Sequence, residues 1–486
     1  MSKHKSLTIN FIMNVFLTMS SIIFPLITFP YVSRILLPEG TGRVSFATSL
    51  IYYFSMFAQL GIPTYGVRAC AVVRDDKEKL SRTVHELFII NLVMSAISYI
   101  LLFGALIFVP RLHEDRTLYL IVSLTMLFNA IGMEWLYKGL EQYTYITVRS
   151  IIFKFVALVA MFLLVHEKSD YVVYGAITIL AASASNIFNF VHVRKFIIMK
   201  PIGGYQFKPH LKAVMIFFAM SCATTIYTHL DTVMLGFMKT DADVGFYNAA
   251  VKIKAVLVSV VTSLGHVLLP RSSYYIRTDQ IDEFWRISKK ALNFVFLLGT
   301  SLMLYFILFA KHGVYFLSGS AFADAILPMQ IIMPTLLFIG ITNILGIQIL
   351  VPLGKEKIVL YSEIAGAVTD LILNAILIPK LASAGAAIGT LAAEFVVLLV
   401  QWFSLRHDVA DALRSIQYYK IIVALIFATA ASIWVPMVIA DNFYALAVSA
   451  CLFFAVYGGM LLLLKEPFVL EIIKKIYGKA MTLLRH

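Results

Sequence analysis

The sequence predicts an all-α integral membrane protein of about fourteen transmembrane helices. Three observations lead to the helical membrane class. Sixty per cent of the 486 residues are apolar and 14 % are charged, and the mean hydropathy is +0.87; soluble domains run near half apolar and a quarter charged. The apolar residues fall in runs of about twenty, the length a helix needs to cross a hydrocarbon core of roughly 30 Å. Basic residues gather in alternate loops, as topology requires. Helices are the economical choice, because isolated strands in lipid leave backbone groups unpaired.

In chain order the spans are 9–33, 44–66, 84–109, 117–137, 147–166 and 171–193. The second half gives 211–236, 245–270, 291–318, 325–350, 359–378, 383–405, 419–440 and 443–464. The first run follows Lys3 and Lys5, is longer than a signal-peptide core and lacks an A-x-A site, so it is expected to stay in the chain. Lys and Arg number 29 on the side of the N-terminus against 8 on the other. The richer side is expected to be cytoplasmic, with both termini there. The expected divisions are an N-lobe over 1–205, a C-lobe over 206–410, and the last two helices with a tail over 411–486.

The formal charge of +13 is explained by these loops, so no nucleic-acid partner is implied. Cys70, Cys222 and Cys451 form no CxxC pair, which argues against a disulfide framework or a zinc site. No extramembrane loop is long enough for a catalytic domain, and no GxxxxGK[ST] loop occurs. Asp241-Ala-Asp243 has the spacing of a glycosyltransferase DxD, but it lies in a tiny outer turn. An enzyme is therefore not expected. Val44-Ser45-Phe46 and Val244-Gly245-Phe246 each open a span, and the spans close at Arg68 and Arg271. This is a hint of duplication that suits a rocking transporter.

Several stretches carry a family resemblance. Residues 29–40 (FPYVSRILLPEG), 60–68 (LGIPTYGVR), 74–81 (RDDKEKLS), 134–141 (EWLYKGLE) and 145–149 (YITVR) lie in the first half. Residues 230–236 (LDTVMLG), 244–250 (VGFYNAA) and 269–271 (LPR) lie in the second. Together the chain resembles Wzx-type polysaccharide flippases of the multidrug/oligosaccharidyl-lipid/polysaccharide exporter superfamily. The resemblance implies movement of undecaprenyl-pyrophosphate-linked oligosaccharide from the cytoplasmic to the outer leaflet of a bacterial inner membrane. It also implies two six-helix lobes around a central cavity, plus two C-terminal helices. Membrane lipids and polysaccharide polymerase machinery are the other partners to expect. A cation-coupled multidrug antiporter and a peptidoglycan-precursor flippase stay open as alternatives.

Ionisable residues within the spans cost at least ~2.5–3.5 kcal/mol each at the bilayer centre, so each asks for a reason. Lys252 and Lys254 lie two residues apart, roughly 200° around a helix, so at least one must face protein or a wet cavity. Asp231, at similar depth on the preceding span, is the expected charge partner. Lys154 is the N-lobe candidate, with snorkelling to the surface as its alternative. Arg34, Arg68, Arg149 and Arg271 stand at span ends, either as ordinary anchors or as headgroup contacts. These cations together suit a pyrophosphate, whose oxygens accept charge-assisted hydrogen bonds. Asp370 and Glu394 are candidates for a coupling proton or cation, or for plain hydrogen bonding to neighbours such as Asn374. His229 and His266 read as packed polar residues. No cofactor or metal is implied; the membrane potential or an ion gradient would supply the energy.

Overall fold

The computed structural model describes residues 7–471, 473 and 474. The terminal basic residues Lys3, Lys5, Lys475, Lys479 and Arg485 lie outside these, as does the side chain of His266. Among the described residues the regular structure is helical throughout. Two compact units emerge, Met1–Gly245 and Phe246–His486. The first extends past residue 205 because α9 (Phe207–Met238) packs along α1 (Leu7–Gln59).

The first unit continues with α2 (Ile62–Val73), α3 (Lys77–Phe108), α4 (Arg116–Gly132), α5 (Glu134–Gly139) and α6 (Tyr143–Leu164). Then come α7 (Tyr171–Ile179), a π-turn over Leu180–Ala184, and α8 (Asn186–His192). The helix α1 is interrupted at Leu37, which has φ 58° and is followed by Pro38. A residue before proline is driven out of the α region, so this one helix covers the first two expected spans. The second of these ends at Gln59, short of residue 66, because Leu60 (φ 44°) and Gly61 (φ 72°) turn the chain. A Cβ on Gly61 would stand 2.5 Å from the Phe218 nitrogen on α9. Arg68 therefore rides on the separate helix α2. Around this corner Leu60, Ile62, Leu87, Leu136 and Val214 form one buried cluster.

The second unit contains most of α10 (Asp241–Arg277), then α11 (Ile281–Leu308), α12 (Ala310–Ser318), α13 (Ile326–Ile332) and α14 (Thr335–Thr342). A π-turn over Asn343–Leu350 leads to α15 (Glu356–Leu405), α16 (Ala410–Arg414), α17 (Tyr418–Ser432), α18 (Val435–Val438) and α19 (Asn442–Leu463). Ala382 (φ 47°) breaks α15, so this helix covers the eleventh and twelfth expected spans. Helices in lipid are held by close packing and interhelical hydrogen bonds, since lipid is as apolar as leucine. Accordingly, the Tyr305 hydroxyl donates to the Leu446 carbonyl at 2.6 Å, and Tyr457 donates to Leu297 at 2.9 Å.

Nine helices among the described residues are long and apolar enough to cross a membrane, or ten if the bent pair Ser320–Ile332 and Thr335–Leu350 counts as one span. The figure falls below fourteen partly because the merged helices each cover more than one expected span. In addition, α4 is a shorter apolar helix of 17 residues.

Candidate functional site

The first unit brings two cations to the same carboxylate, and one of them, Arg149, is a residue proposed from the sequence. Met133, at φ 41°, ends α4 in the left-handed region and starts α5, which places Glu134 at the break. The Glu134 carboxylate lies 2.9 Å from Lys138 Nζ through Oε1 and 3.5 Å from Arg149 Nη2 through Oε2. Arg149 Nη2 also donates to Asn186 Oδ1 at 3.0 Å, and Asn186 Nδ2 donates to Asn129 Oδ1 at 3.1 Å. Asn186 can approach because Gly132 has no Cβ, which would otherwise stand 2.5 Å from that of Asn186. It follows the π-turn, a distortion often found at functional sites. The guanidinium stacks over Tyr145 at 5.9 Å.

Arg149 is only 7 % exposed. The expectation of a span-end anchor is corrected: it lies in the second turn of α6, enclosed by α5 and α8. Lys154, on the same helix, donates from Nζ to the hydroxyls of Ser20 and Ser21 on α1, each at 2.8 Å. It is half-buried, and it remains within electrostatic reach of Glu134. The sequence reading did not single out Glu134, although it opens one of the quoted stretches; its separation from Arg149 along the chain hid the pair.

The other cations are placed differently. Arg34 and Arg68 are exposed on α1 and α2, and Arg34 bonds the Pro30 carbonyl of its own helix. Lys252 and Lys254 are both half-buried on α10. Arg271 is exposed and lies inside α10, which runs on to Arg277, rather than at a helix end. Asp231 is buried on α9. His229 stacks on Tyr52 with centroids 4.5 Å apart and lies 3.3 Å from Ser49 Oγ, as a packed polar residue would.

A second polar group lies in the second unit. Asp370 and Asn374 are buried and face Gly389, where a Cβ would meet the side-chain oxygens of both. One residue on, the Thr390 and Tyr247 hydroxyls are 2.9 Å apart. Glu394 is buried too, within electrostatic reach of Glu363, an acidic residue that the sequence reading passed over inside its eleventh span. Among the described residues no group of three His, Cys, Asp or Glu is placed to hold a metal.

The expected outer loops of the first unit carry an ion network. Arg43 reaches Asp115 at 3.1 Å, Glu39 at 2.9 Å and Asp241 at 3.6 Å, and Arg111 pairs with Asp241. Asp243 accepts from the Thr240 amide and hydroxyl at 3.2 and 2.7 Å. Both acids of the DxD spacing thus have structural partners.

Described residues that are helical throughout, with nine or ten helices of membrane length, define a multi-pass membrane protein. The family described as "Polysaccharide biosynthesis protein" matches residues 7–276, more than half of the chain, and the chain belongs to that family. It is 25 % identical over 394 residues to the "Putative O-antigen transporter" of Escherichia coli (strain K12), covering 80 % of this chain and 94 % of that protein. A protein of the same description from Shigella dysenteriae is 25 % identical over 381 residues, with 78 % and 94 % covered.

Among solved structures, the fold is similar to "Lipid II flippase MurJ, inward closed conformation", with TM-score 0.73 and 16 % identity. That match covers 95 % of this chain and all of the other. An inward-facing multidrug resistance MATE family transporter of the MOP superfamily aligns with TM-score 0.64 and 14 % identity, covering 81 % and 95 %. The resemblance to polysaccharide flippases drawn from the sequence is borne out, and the named relatives are transporters rather than enzymes.

Proposed function

We propose that this chain carries undecaprenyl-pyrophosphate-linked oligosaccharide from the cytoplasmic to the outer leaflet of a bacterial inner membrane by alternating access, with both termini in the cytoplasm. Its product would feed surface polysaccharide assembly, handed on to polymerase machinery. The observation that carries this reading is Arg149, a guanidinium buried within a membrane helix of a polysaccharide-biosynthesis family member, with Lys154 on the same helix. Arg offers a planar fork of donors that matches phosphate oxygens, and lysine adds a point charge. The lipid tail stays in the bilayer, so only the charged head and its sugars cross. Arg34, Arg68, Lys252, Lys254 and Arg271 complete the proposed headgroup path, and Asp231 is the proposed partner of its lysines. Asp370 and Glu394 are the proposed coupling groups.

The test is reconstitution of the purified protein in liposomes loaded with undecaprenyl-pyrophosphate oligosaccharide, following its appearance in the opposite leaflet. Transfer that falls in the Arg149→Gln and Lys154→Met variants is expected. No transfer, alongside proton-coupled efflux of a small cationic dye, would overturn the reading in favour of a drug antiporter.

A further inference from the structure

Two donors of the Arg149 guanidinium, Nε and Nη1, are buried with no acceptor within hydrogen-bond distance. Buried polar groups are nearly always satisfied, and an exception calls for an explanation such as an ion that belongs there. Only Nη2 is engaged, by Asn186 and, at 3.5 Å, by Glu134. The geometry leaves the guanidinium short of acceptors, beside a carboxylate that is better engaged elsewhere: Glu134 makes its shorter contact, 2.9 Å, with Lys138.

Exposure completes the picture. The Arg149 side chain is 7 % exposed and that of Glu134 is 35 % exposed, so the open side of this pair is the carboxylate side. An anion arriving there meets Glu134 before it meets Arg149. Arg149, Lys138 and Lys154 around the single charge of Glu134 leave a positive excess of two. A diphosphate diester carries one negative charge on each phosphate and would neutralise that excess.

We propose that Glu134 is an internal placeholder for Arg149, compensating the buried guanidinium until the phosphates of a headgroup displace it; this rests on the flippase reading. The physical reason is that removing one partner of a buried ion pair is strongly destabilising, because it leaves a charge uncompensated. A site that empties on every cycle therefore needs an anion of its own. Once displaced, Glu134 keeps Lys138 as a partner, so the exchange strands no charge. The carboxylate also opposes binding by like-charge repulsion, which promotes release on the far side.

The experiment measures binding of inorganic pyrophosphate and of undecaprenyl pyrophosphate to the full-length protein in detergent, with transport by the same variants in liposomes. Glu134→Gln is expected to tighten both ligands about tenfold, because it removes a like charge that opposes the phosphates, and to lower KM and kcat together as release slows. Glu134→Asp, which keeps the charge but shortens its reach, covers the case in which the amide variant does not fold and is expected to shift affinity the same way by less.

Unchanged or weaker binding in both variants, while Arg149→Gln still weakens it, would overturn the placeholder and leave the cationic site standing. No effect of Arg149→Gln on either ligand would overturn the site itself. Tightening for inorganic pyrophosphate alone would overturn the headgroup assignment and make this a site for soluble phosphates.

Discussion

The Nη1 of Arg43 lies 3.1 Å from Oδ1 of Asp115, a carboxylate only 4 % exposed, and this pair ties the turn after Pro38 to the start of α4. Asp115 also accepts from the Tyr171 hydroxyl at 2.8 Å, so three segments of the first unit meet at one side chain. Asp115→Asn keeps the shape and removes the charge. Hydrogen bonds to charged groups contribute about 1.5–3 kcal/mol, and a loss of that order should lower the thermal midpoint in detergent by several degrees. An unchanged midpoint would mean that the pair is compensated by solvent.

Gly42 and Gly245 serve the same corner through backbone contact. A Cβ on Gly42 would overlap the Asp241 carbonyl, and one on Gly245 would overlap the carbonyl of Pro38. Backbone cannot move aside as a flexible side chain can. Gly42→Ala should therefore cost about 1–3 kcal/mol, as overpacking does. Gly104, with open space around its Cβ position, is the control: Gly104→Ala should leave the midpoint near that of the wild type.

Lys154 is fixed by two serine hydroxyls on α1. Lys154→Met fills the same volume without the charge and should slow headgroup transfer tenfold or more, on the ~1.5–3 kcal/mol scale of a charged hydrogen bond. Ser20→Ala with Ser21→Ala keeps the charge but frees the stem and should have a smaller effect. Equal rates in all variants would remove Lys154 from the headgroup path.

Asp76, in the loop before α3, caps that helix by accepting from the Glu78 and Lys79 amides, each at 3.1 Å. The Lys79 amide first, and then its ammonium, hold the carboxyl below the usual aspartate range. A lowered folded-state value means that the cap contributes above the ordinary pKa of about 3.9 and is lost as pH falls below it. Amide exchange in the first turn of α3, corrected for intrinsic rates, should rise below about pH 4 in the wild type. It should already be raised at neutral pH in Asp76→Ala.

Export of a diphosphate from a negative interior runs downhill in the potential at ~2.3 kcal/mol per charge per 100 mV. Unless cations travel with the headgroup, collapsing an imposed potential should slow transfer markedly. A rate that ignores the potential would instead point to an ion taken up at Asp370 or Glu394, and either substituted by its amide should then reduce transfer.

The sequence by itself determined the class. Long apolar runs interrupted by basic loops admit only lipid-spanning helices, because unpaired backbone cannot exist in lipid, and the quoted stretches already pointed to polysaccharide flippases. It also singled out Lys154, because a charge within an apolar run stands out, while Arg149 was legible only as one of four arginines at span ends. It did not show that Leu37 and Ala382 break continuous helices, or that Leu60 and Gly61 turn the chain before Arg68. Those depend on which backbone conformations the neighbouring packing enforces. Nor did it link Glu134 to Arg149. One follows the break at Met133 and the other lies inside α6, and only the folding of α5 and α8 onto α6 puts carboxylate, guanidinium and Asn186 together. Charge and hydropathy are written residue by residue, whereas a site is a set of distances between helices, and those are decided by packing.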